Sequence, residues 1–232
     1  MNRFFVEELC ESGGEATLTP EESHHLCRVL RLGAGASVLV IDGKGGVAEA
    51  VVKADSARRC QVEYQPFIRQ RLGFRLSVAF GLPKPSALDQ IIRRCTEVGV
   101  CGFFPLVTDH SLQPKAWNRQ RWEKAVSEVI KQCQSPFLPE LHEPTHLNEF
   151  LGSVTAPLFF CDERDRDSKV ELAANSSAIL LVGPEGGWSD QERENFNSRT
   201  DIRTLGLGAN RLRTETAALV GTVLAKRVLG EV

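Results

Sequence analysis

Two glycine-rich turns late in the chain carry the residue types that suit ligand binding. Residues 183–187 follow the apolar run 178–182, and Ser189 then begins a helix-capping pattern. Residues 206–210 likewise follow the strand-like run 202–205 and lead into a last helix. Glycines let a backbone approach a ligand closely, and ligands of α/β folds bind at the carboxyl ends of strands. The turns therefore predict a site for an adenosine-like ligand, with plain strand-to-helix turns as the alternative.

Neither turn matches a common nucleotide-binding motif. The segment from Gly206 begins like a dinucleotide fingerprint, but Arg211 stands where the third glycine or alanine is needed. Too little chain follows it for the rest of that fold. The turn at 183–187 lacks the lysine of a phosphate loop. Spacing alone thus leaves the identity of the ligand open.

A zinc-protease pattern is present in residue order but lacks the helix that it requires. Residues 142–146 read H-E-x-x-H, which binds zinc only when both histidines project from one face of a helix. Pro144 lies inside the pattern, and proline within a helix costs about 3 kcal/mol. The sequence therefore predicts a loop here and no metal site.

The composition is that of an ordinary soluble globular protein. The 232 residues are 42% hydrophobic with a formal net charge of −2, so one sizeable core or two smaller ones can form. No apolar run reaches the roughly 20 residues of a membrane helix, and the first residues do not resemble a signal peptide. Seven cysteines without a C-x-x-C pair are typical of reduced thiols. We therefore expect a cytoplasmic protein with no membrane segment.

The pattern of elements changes near Arg71. Before it, short strands and turns indicate a small β-rich module, interpreted as a barrel, with one helix from Thr19 as N-cap to Gly33. After it, strands alternate with helices, which is typical of a parallel α/β sheet. In this second part we expect Ser86 to cap a helix that ends at Gly99.

Two further segments of the second part have clear patterns. Residues 162–167 are strongly charged and predict a surface loop. The last helix, residues 215–229, is apolar nearly all round. Such a helix is buried in a core or used at a subunit contact, so we expect a homodimer.

Specific motifs in both parts resemble the RsmE family of the SPOUT superfamily. The resemblance rests on residues 181–187 and 207–217 and extends in order along nearly the whole chain. It implies a PUA-like β-barrel domain for RNA over residues 1–70. It also implies an α/β methyltransferase domain with a deep trefoil knot over residues 71–232, and a homodimer with its active site near the subunit contact.

The resemblance further implies a reaction and the residues that carry it. Members of the family methylate N3 of a uridine in bacterial 16S ribosomal RNA, with S-adenosyl-L-methionine (S-adenosylmethionine) as the methyl donor. We expect the cofactor to be held mainly by the backbone of the two turns, at Phe160, Gly183, Pro184, Glu185, Gly186, Gly187, Leu205, Leu207, Gly208 and Leu212. We expect RNA to be held by Arg3, Arg28, Arg31 and Lys84.

The uracil N3 atom carries a proton at neutral pH, so the reaction needs a base or a cation that stabilises the uracil anion. Arg213 is the candidate for holding a phosphate or the developing oxyanion, and a salt bridge to Glu215 or Glu185 is its structural alternative. Glu185 and Glu215 are the candidates for accepting the proton or steadying the arginine. The alternative for Glu215 is a structural role at the start of a helix, where the helix dipole favours a negative charge.

Two other functions and three departures from the family remain open. A noncatalytic RNA-binding protein on the same fold would need no cofactor, and an oxidoreductase would need a nicotinamide cofactor. Asn210 and Arg211 stand where many relatives carry an arginine and an aliphatic residue, and Ser135 replaces a common arginine. These departures are expected to alter contacts at the cofactor turn and to weaken one RNA contact.

Overall fold

Residues 1–162 and 177–230 are described by a computed structural model, and the chain divides into two units. The first contains Met1–Leu72 and also Ile130–Leu138. The second contains Gly73–Val129 and the chain from Pro139 onward. The sequence placed one boundary near Arg71, and the return of 130–138 to the first unit is a finding of the structure. Residues 163–167 of the expected charged loop lie outside the described residues.

The first unit is built on a five-stranded sheet. Its strands are β1 (Arg3–Phe5), β2 (Gly14–Thr17), β3 (Ser37–Ile41), β4 (Val47–Ala54) and β5 (Gln61–Tyr64). They lie in the order β1-β3-β4-β5-β2, with β1 parallel to β3 and the other pairs antiparallel. The short strands that the sequence predicts for this module are observed, and β3, β4 and β5 are the longest of them or have the clearest pattern. The edge strands β1 and β2 were not predicted, because three or four residues show too little periodicity.

The helix of this unit begins as predicted but changes character after one turn. The hydroxyl of Thr19 accepts the N–H of Glu22 at 3.2 Å, and α1 (Pro20–His24) follows. The chain then widens into a π-helical turn, His25–Val29, in which the N–H of Leu30 donates to the carbonyl of His25 at 3.0 Å. Single π turns are rare and occur frequently at functional sites. The predicted extension to Gly33 is wrong, since Arg31 already adopts a φ of 54°.

The segment 130–138 is held in the first unit by backbone and side-chain bonds. The N–H of Leu138 donates to the carbonyl of Gly43 at 2.8 Å, and that of Gly45 donates to Pro136 at 3.0 Å. The ammonium group of Lys131 donates to a carboxylate oxygen of Glu22 at 2.7 Å. These partners are far apart in sequence, so no local pattern predicts them.

A buried ion pair within the first unit joins Asp42 to Arg69, which lies near the end of the segment Met1–Leu72. The Asp42 carboxylate is fully buried and accepts Nη1 of Arg69 at 2.7 Å. It also accepts the N–H groups of Lys44 and Gly46 at 2.8 and 2.9 Å. Burial alone would raise the pKa of Asp42, but these donors outweigh it and lower the pKa below its ordinary value of 3.8. The carboxylate is therefore stabilised in its charged form.

We expect Asp42→Asn to destabilise the first unit by about 1.5–3 kcal/mol, because the amide cannot replace a carboxylate that accepts three donors. The folded pKa is lowered, so this stabilisation is complete above pH 3.8 and is lost as the pH falls through the folded pKa. Denaturant unfolding at neutral and acidic pH measures both effects. Glu63→Gln, which removes an exposed pair with Lys53, is the control. Equal stability of wild type and Asp42→Asn would contradict this assignment.

The second unit is built on a parallel sheet covered on both faces. Its strands are β6 (Arg75–Gly81), β7 (Gly102–Val107), β8 (Glu140–Leu141), β9 (Thr145–His146), β10 (Leu158–Cys161), β11 (Ser177–Val182) and β12 (Ile202–Leu205). They follow the order β12-β10-β11-β6-β7-β8, and β9 also pairs with β7. Every pair is parallel, as predicted. The carboxyl ends of the strands therefore share one edge, where ligands of such folds bind.

Within residues 1–162 and 177–230, five α-helices belong wholly or mostly to this unit. They are α2 (Pro85–Glu97), α3 (Arg119–Cys133), α4 (Leu147–Ser153), α5 (Asp190–Asn197) and α6 (Thr214–Val228). One buried cluster joins Ile91, Trp122 and Ala218 of α2, α3 and α6 to one sheet face. A second joins Phe150 and Phe196 of α4 and α5 to the other face. Among the described residues, no helix has the length and apolar character needed to cross a membrane.

One helix prediction for this unit needs correction. Ser86 is not an N-cap, because α2 already begins at Pro85 with Lys84 as the cap residue. Proline favours the first helical position. The last helix is less uniformly buried than its composition suggests. Ala218 and Ala225 are fully buried, but Val223 is 41% exposed.

Candidate active site

A cavity of about 460 Å³ lies where β6, β10, β11 and β12 end. Its walls come from the turn after β11, the loop after β12 and the first residues of α2 and α6. The predicted site residues that line it are Lys84, Gly183, Pro184, Glu185, Gly187, Leu207, Gly208, Leu212, Arg213 and Glu215. The structure thus brings both glycine turns and all three candidate catalytic residues to one cavity.

Three predicted cofactor residues lie outside the lining of this cavity. Phe160 is 1% exposed and packs on Phe196 on the opposite sheet face, because successive strand side chains alternate between faces. Leu205 is likewise buried in the core. A Cβ on Gly186 would lie 2.8 Å from that of His110, so this glycine permits close approach of a neighbouring loop.

Cys161 and Asp162 line the cavity although the sequence analysis did not select them. Both follow Phe160 at the carboxyl end of β10, and that position was the signal that could have identified them. The carboxylate of Asp162 accepts Nη1 of the buried Arg193. Asp162 is therefore held in place by α5.

Bonds on both sides fix the turn after β11. Within it, the N–H of Gly187 donates to the carbonyl of Pro184 at 2.8 Å, and Gly187 has a φ of 71°. After it, the predicted capping box is confirmed: Ser189 Oγ accepts the Glu192 N–H, and the Glu192 carboxylate accepts the Ser189 N–H. The turn is consequently a defined backbone surface.

The loop after β7 adds a second restraint on the same turn. The N–H of Asp109 donates to Oε1 of Glu192 at 3.0 Å, and the hydroxyl of Ser189 donates to Oδ2 of Asp109 at 2.5 Å. The His110 ring lies 3.2 Å from the Gly187 carbonyl. These contacts connect two strand ends across the edge of the sheet.

Glu185 already has a structural partner. Its Oε1 accepts the backbone N–H of Lys84 at 2.9 Å. A carboxylate beside the start of α2 is also favoured by the helix dipole. Glu185 therefore joins the turn after β11 to the first residues of α2 through one of its oxygens.

Arg213 and Glu215 lie at the start of α6. Arg213 is the exposed N-cap residue, and its side chain does not cap the helix. Glu215 is half-buried in the first turn of α6. Within the described ranges, no ion pair is recorded between Arg213 and Glu215 or Glu185. The arginine is thus placed to contact a ligand in the cavity.

The residues present fit a nucleoside-bearing cofactor. The volume lies in the range of small-molecule sites. Gly208 lines the cavity with a φ of 99°, and a Cβ there would meet no atom within 4 Å, so the space beside this backbone is open. The buried indole N–H of Trp188 has no hydrogen-bond partner among the described residues, although buried donors are nearly always paired. This donor is available to a ligand.

The candidate RNA-binding residues of the first unit differ in their contacts. Arg28 and Arg31 are exposed on and just after the π-helical turn. Arg3 is already engaged, since its Nη1 donates to the carbonyl of Gln134 at 2.7 Å. Lys84, the remaining candidate, belongs to the second unit and lines the cavity.

The H-E-x-x-H segment is not helical. His146 ends β9, and His142 lies outside any helix with its ring stacked on Phe104 at 3.8 Å. Burial lowers the pKa of His142. Across 1–162 and 177–230, no group of three or more histidine, cysteine or acidic residues suits a metal ion.

Comparison with known proteins places this chain in a family. A profile of the RNA methyltransferase domain matches residues 70–226, and one of the RNA methyltransferase PUA domain matches residues 18–63. Ribosomal RNA small subunit methyltransferase E of Synechocystis sp. is 32% identical over 213 residues, which cover 88% of this chain and 70% of that protein. The chain belongs to the ribosomal RNA small subunit methyltransferase E family. The Bacillus subtilis member is 27% identical, and the aligned region covers 94% of this chain and 93% of that protein.

Solved structures agree with this assignment at the level of the fold. A ribosomal RNA small subunit methyltransferase E from Neisseria gonorrhoeae, described as bound to S-adenosylmethionine, superimposes with a TM-score of 0.88 at 21% identity. Each chain is 98% covered. The predicted fold class, a SPOUT-type α/β methyltransferase domain with a PUA domain, is confirmed, as is the resemblance to this family.

Proposed function

We propose that this protein methylates N3 of a uridine in 16S ribosomal RNA of the small ribosomal subunit, with S-adenosylmethionine as the donor. The observation that carries the proposal is the cavity in the RNA methyltransferase domain, which is lined by glycines of both turns and by Arg213. The relatives named as small subunit ribosomal RNA methyltransferases support the RNA class. The uridine and its N3 atom come from the family resemblance.

The cofactor would be held by the turns at 183–187 and 207–212. Their backbone groups would hold its polar atoms, and the indole N–H of Trp188 would donate one further bond. When bound, S-adenosylmethionine supplies an electrophilic methyl group. The rigid turn after β11 orients the site before the base arrives, and such positioning lowers the barrier for transfer.

Arg213 is proposed to stabilise the negative charge that develops on uracil as N3 loses its proton. Arg213 is exposed and lines the cavity that a base would have to enter. Preorganised donors aimed at developing charge are among the largest catalytic effects. Glu215 and Glu185 are both proposed as acceptors of the proton or as supports for the arginine. Glu185 has one oxygen committed to Lys84.

The test is methylation of small ribosomal subunits and of free 16S RNA by the full chain, followed by mass mapping of the product. A single N3-methyluridine that requires S-adenosylmethionine is the expected result. Calorimetry with S-adenosylmethionine and with NAD separates the alternatives. Binding of neither cofactor would favour a noncatalytic RNA-binding protein, and binding of NAD alone would favour an oxidoreductase.

We propose that the first unit binds RNA through Arg28 and Arg31. Because the whole chain has a net charge of −2, attraction to phosphate must come from local clusters. Replacing both arginines by alanine should weaken RNA binding and reduce its salt dependence by about one unit of slope per lost contact. Salt-dependent binding measurements test this expectation.

The matched control for this test is the double replacement of Arg58 and Arg59, which are exposed in the same unit. It removes the same charge and should leave the salt slope closer to wild type. Affinity for S-adenosylmethionine should not change in either double variant. Equal effects of the two double variants on RNA binding would show that overall charge, not the π-helical turn, controls affinity.

A homodimer is proposed through the outer face of α6, where Val223 is exposed beside half-buried Leu219 and Val220. Light scattering at micromolar concentration should give twice the mass of a 25.6 kDa chain. Val223→Glu should shift the protein to the monomer, because it places a charge in an apolar contact. Ile68→Glu, which changes a 90% exposed residue of the first unit, should remain dimeric. A monomeric wild type would refute the proposal.

A further inference from the structure

A second cavity, of about 600 Å³, lies in the second unit on the side of the loop after β7. It is bounded by that loop, by the start of α4 and by one face of α5. The residues that matter to its chemistry are Thr108, Asp109, Asn148, Glu192, Glu194 and Asn195. No role in the methyl transfer proposed above uses this cavity.

The charges of this cavity are all of one sign. Three carboxylates line it, those of Asp109, Glu192 and Glu194. Its described lining contains the imidazole of His146 but no lysine or arginine. Both oxygens of Glu192 accept backbone N–H groups, and Oδ2 of Asp109 accepts the hydroxyl of Ser189. The exposed carboxylate of Glu194 and the second oxygen of Asp109 give the cavity a negative field. Such a field attracts cations and repels RNA phosphates.

A buried hydroxyl provides a second and independent observation. Thr108 is 9% exposed, and its Oγ1 is buried without a hydrogen-bond partner among the described residues. Its backbone is satisfied, since its N–H donates to Oγ of Ser111 at 2.9 Å and its carbonyl accepts the same hydroxyl at 3.1 Å. An unpaired buried hydroxyl destabilises the folded state. A ligand that presents a donor in this cavity would satisfy it.

We propose that this cavity binds the guanidinium group of an arginine-bearing polypeptide segment. A guanidinium offers five N–H donors in one plane and suits carboxylates, a hydroxyl and amide oxygens together. The amide oxygen of Asn148, which also accepts from Asn195 at 3.4 Å, provides a neutral acceptor beside the carboxylates. The proposal does not depend on the reaction at the first cavity.

The test is titration of the full-length protein with a short peptide of alternating arginine and glycine, monitored by backbone NMR shifts. The counterpart with citrulline, which is neutral and nearly the same shape, is the ligand control. We expect the arginine peptide to shift residues 107–109 and 191–198. Glu194→Gln should weaken binding roughly tenfold, the effect of one charge-assisted hydrogen bond. Glu97→Gln, the same change on α2 outside the cavity, should not weaken it.

Thr108→Val provides a readout that a purely structural hydroxyl would not give. The isosteric change should raise the thermal midpoint of the free protein, because it removes an unpaired polar atom. It should also weaken binding of the arginine peptide several-fold, because the hydroxyl acceptor is lost. A lowered midpoint with unchanged peptide affinity would overturn the proposal. Three further results would also overturn it. The citrulline peptide could bind as well as the arginine peptide, Glu194→Gln and Glu97→Gln could have equal effects, or RNA could shift the same residues.

Discussion

A Gly208→Val variant is expected to lose S-adenosylmethionine binding while both units stay folded. The position has a φ of 99°, and a Cβ built there would meet no atom within 4 Å. A branched side chain would consequently extend into the open part of the cavity that the cofactor is proposed to fill. Affinity should fall by about 100-fold or more, which corresponds to roughly 3 kcal/mol. Calorimetry on the full chain measures the loss.

Backbone strain must be separated from blockage of the cavity, since valine disfavours a positive φ. Gly35 in the first unit offers a matched control, because it has a φ of 85° and equally open surroundings. Gly35→Val should incur comparable strain and keep full affinity for S-adenosylmethionine. Undiminished binding by Gly208→Val would show that the loop after β12 does not contact the cofactor.

An Arg213→Ala variant is expected to lower the rate of methyl transfer by about 10²–10³-fold, the usual effect of removing one preorganised donor to a developing anion. Its affinity for S-adenosylmethionine should change little, because the backbone turns hold the cofactor. Single-turnover methylation of ribosomal RNA separates the rate from binding. The effect should therefore appear in the rate constant at saturating RNA and cofactor.

Two companion variants make the arginine result specific. Arg213→Lys keeps the charge but loses the forked donors, so it should recover only part of the rate. Arg227→Ala removes an exposed arginine from the last turn of the same helix and should behave as wild type. A rate for Arg213→Ala close to that of Arg227→Ala would remove Arg213 from the mechanism.

The parts of the fold that could be predicted are those encoded by neighbouring residues. The strands at 178–182 and 202–205 and the capping box of Ser189 each depend on a short local pattern. By contrast, the predicted start of α2 was wrong, because proline favours the first helical position and the helix begins at Pro85. The return of 130–138 to the first unit depends on partners such as Gly43 and Gly45, which no local pattern identifies.

The candidate site shows the same division. Both glycine turns were found from sequence, because glycine after an apolar run is a local signal. Phe160 was selected in place of Cys161 because the sequence does not tell which sheet face a buried strand residue occupies. The link from Glu185 to Lys84 joins two loops that are distant in sequence, so it became visible only in three dimensions.

The order of strands in the second unit has a consequence for synthesis on the ribosome. β6 is the first strand of its sheet to be made, yet its neighbour β11 and both glycine turns come much later in the chain. Folding of the first unit is also delayed, because its segment Ile130–Leu138 is synthesised only after Gly73–Val129. The first unit can therefore be completed once residue 138 has been made, whereas the sheet of the second unit must wait for β11 and β12. Pairing between distant strands folds slowly. Nascent chains should therefore expose the apolar strand β6 until β11 has been made, and such exposed strands are the surfaces that chaperones bind.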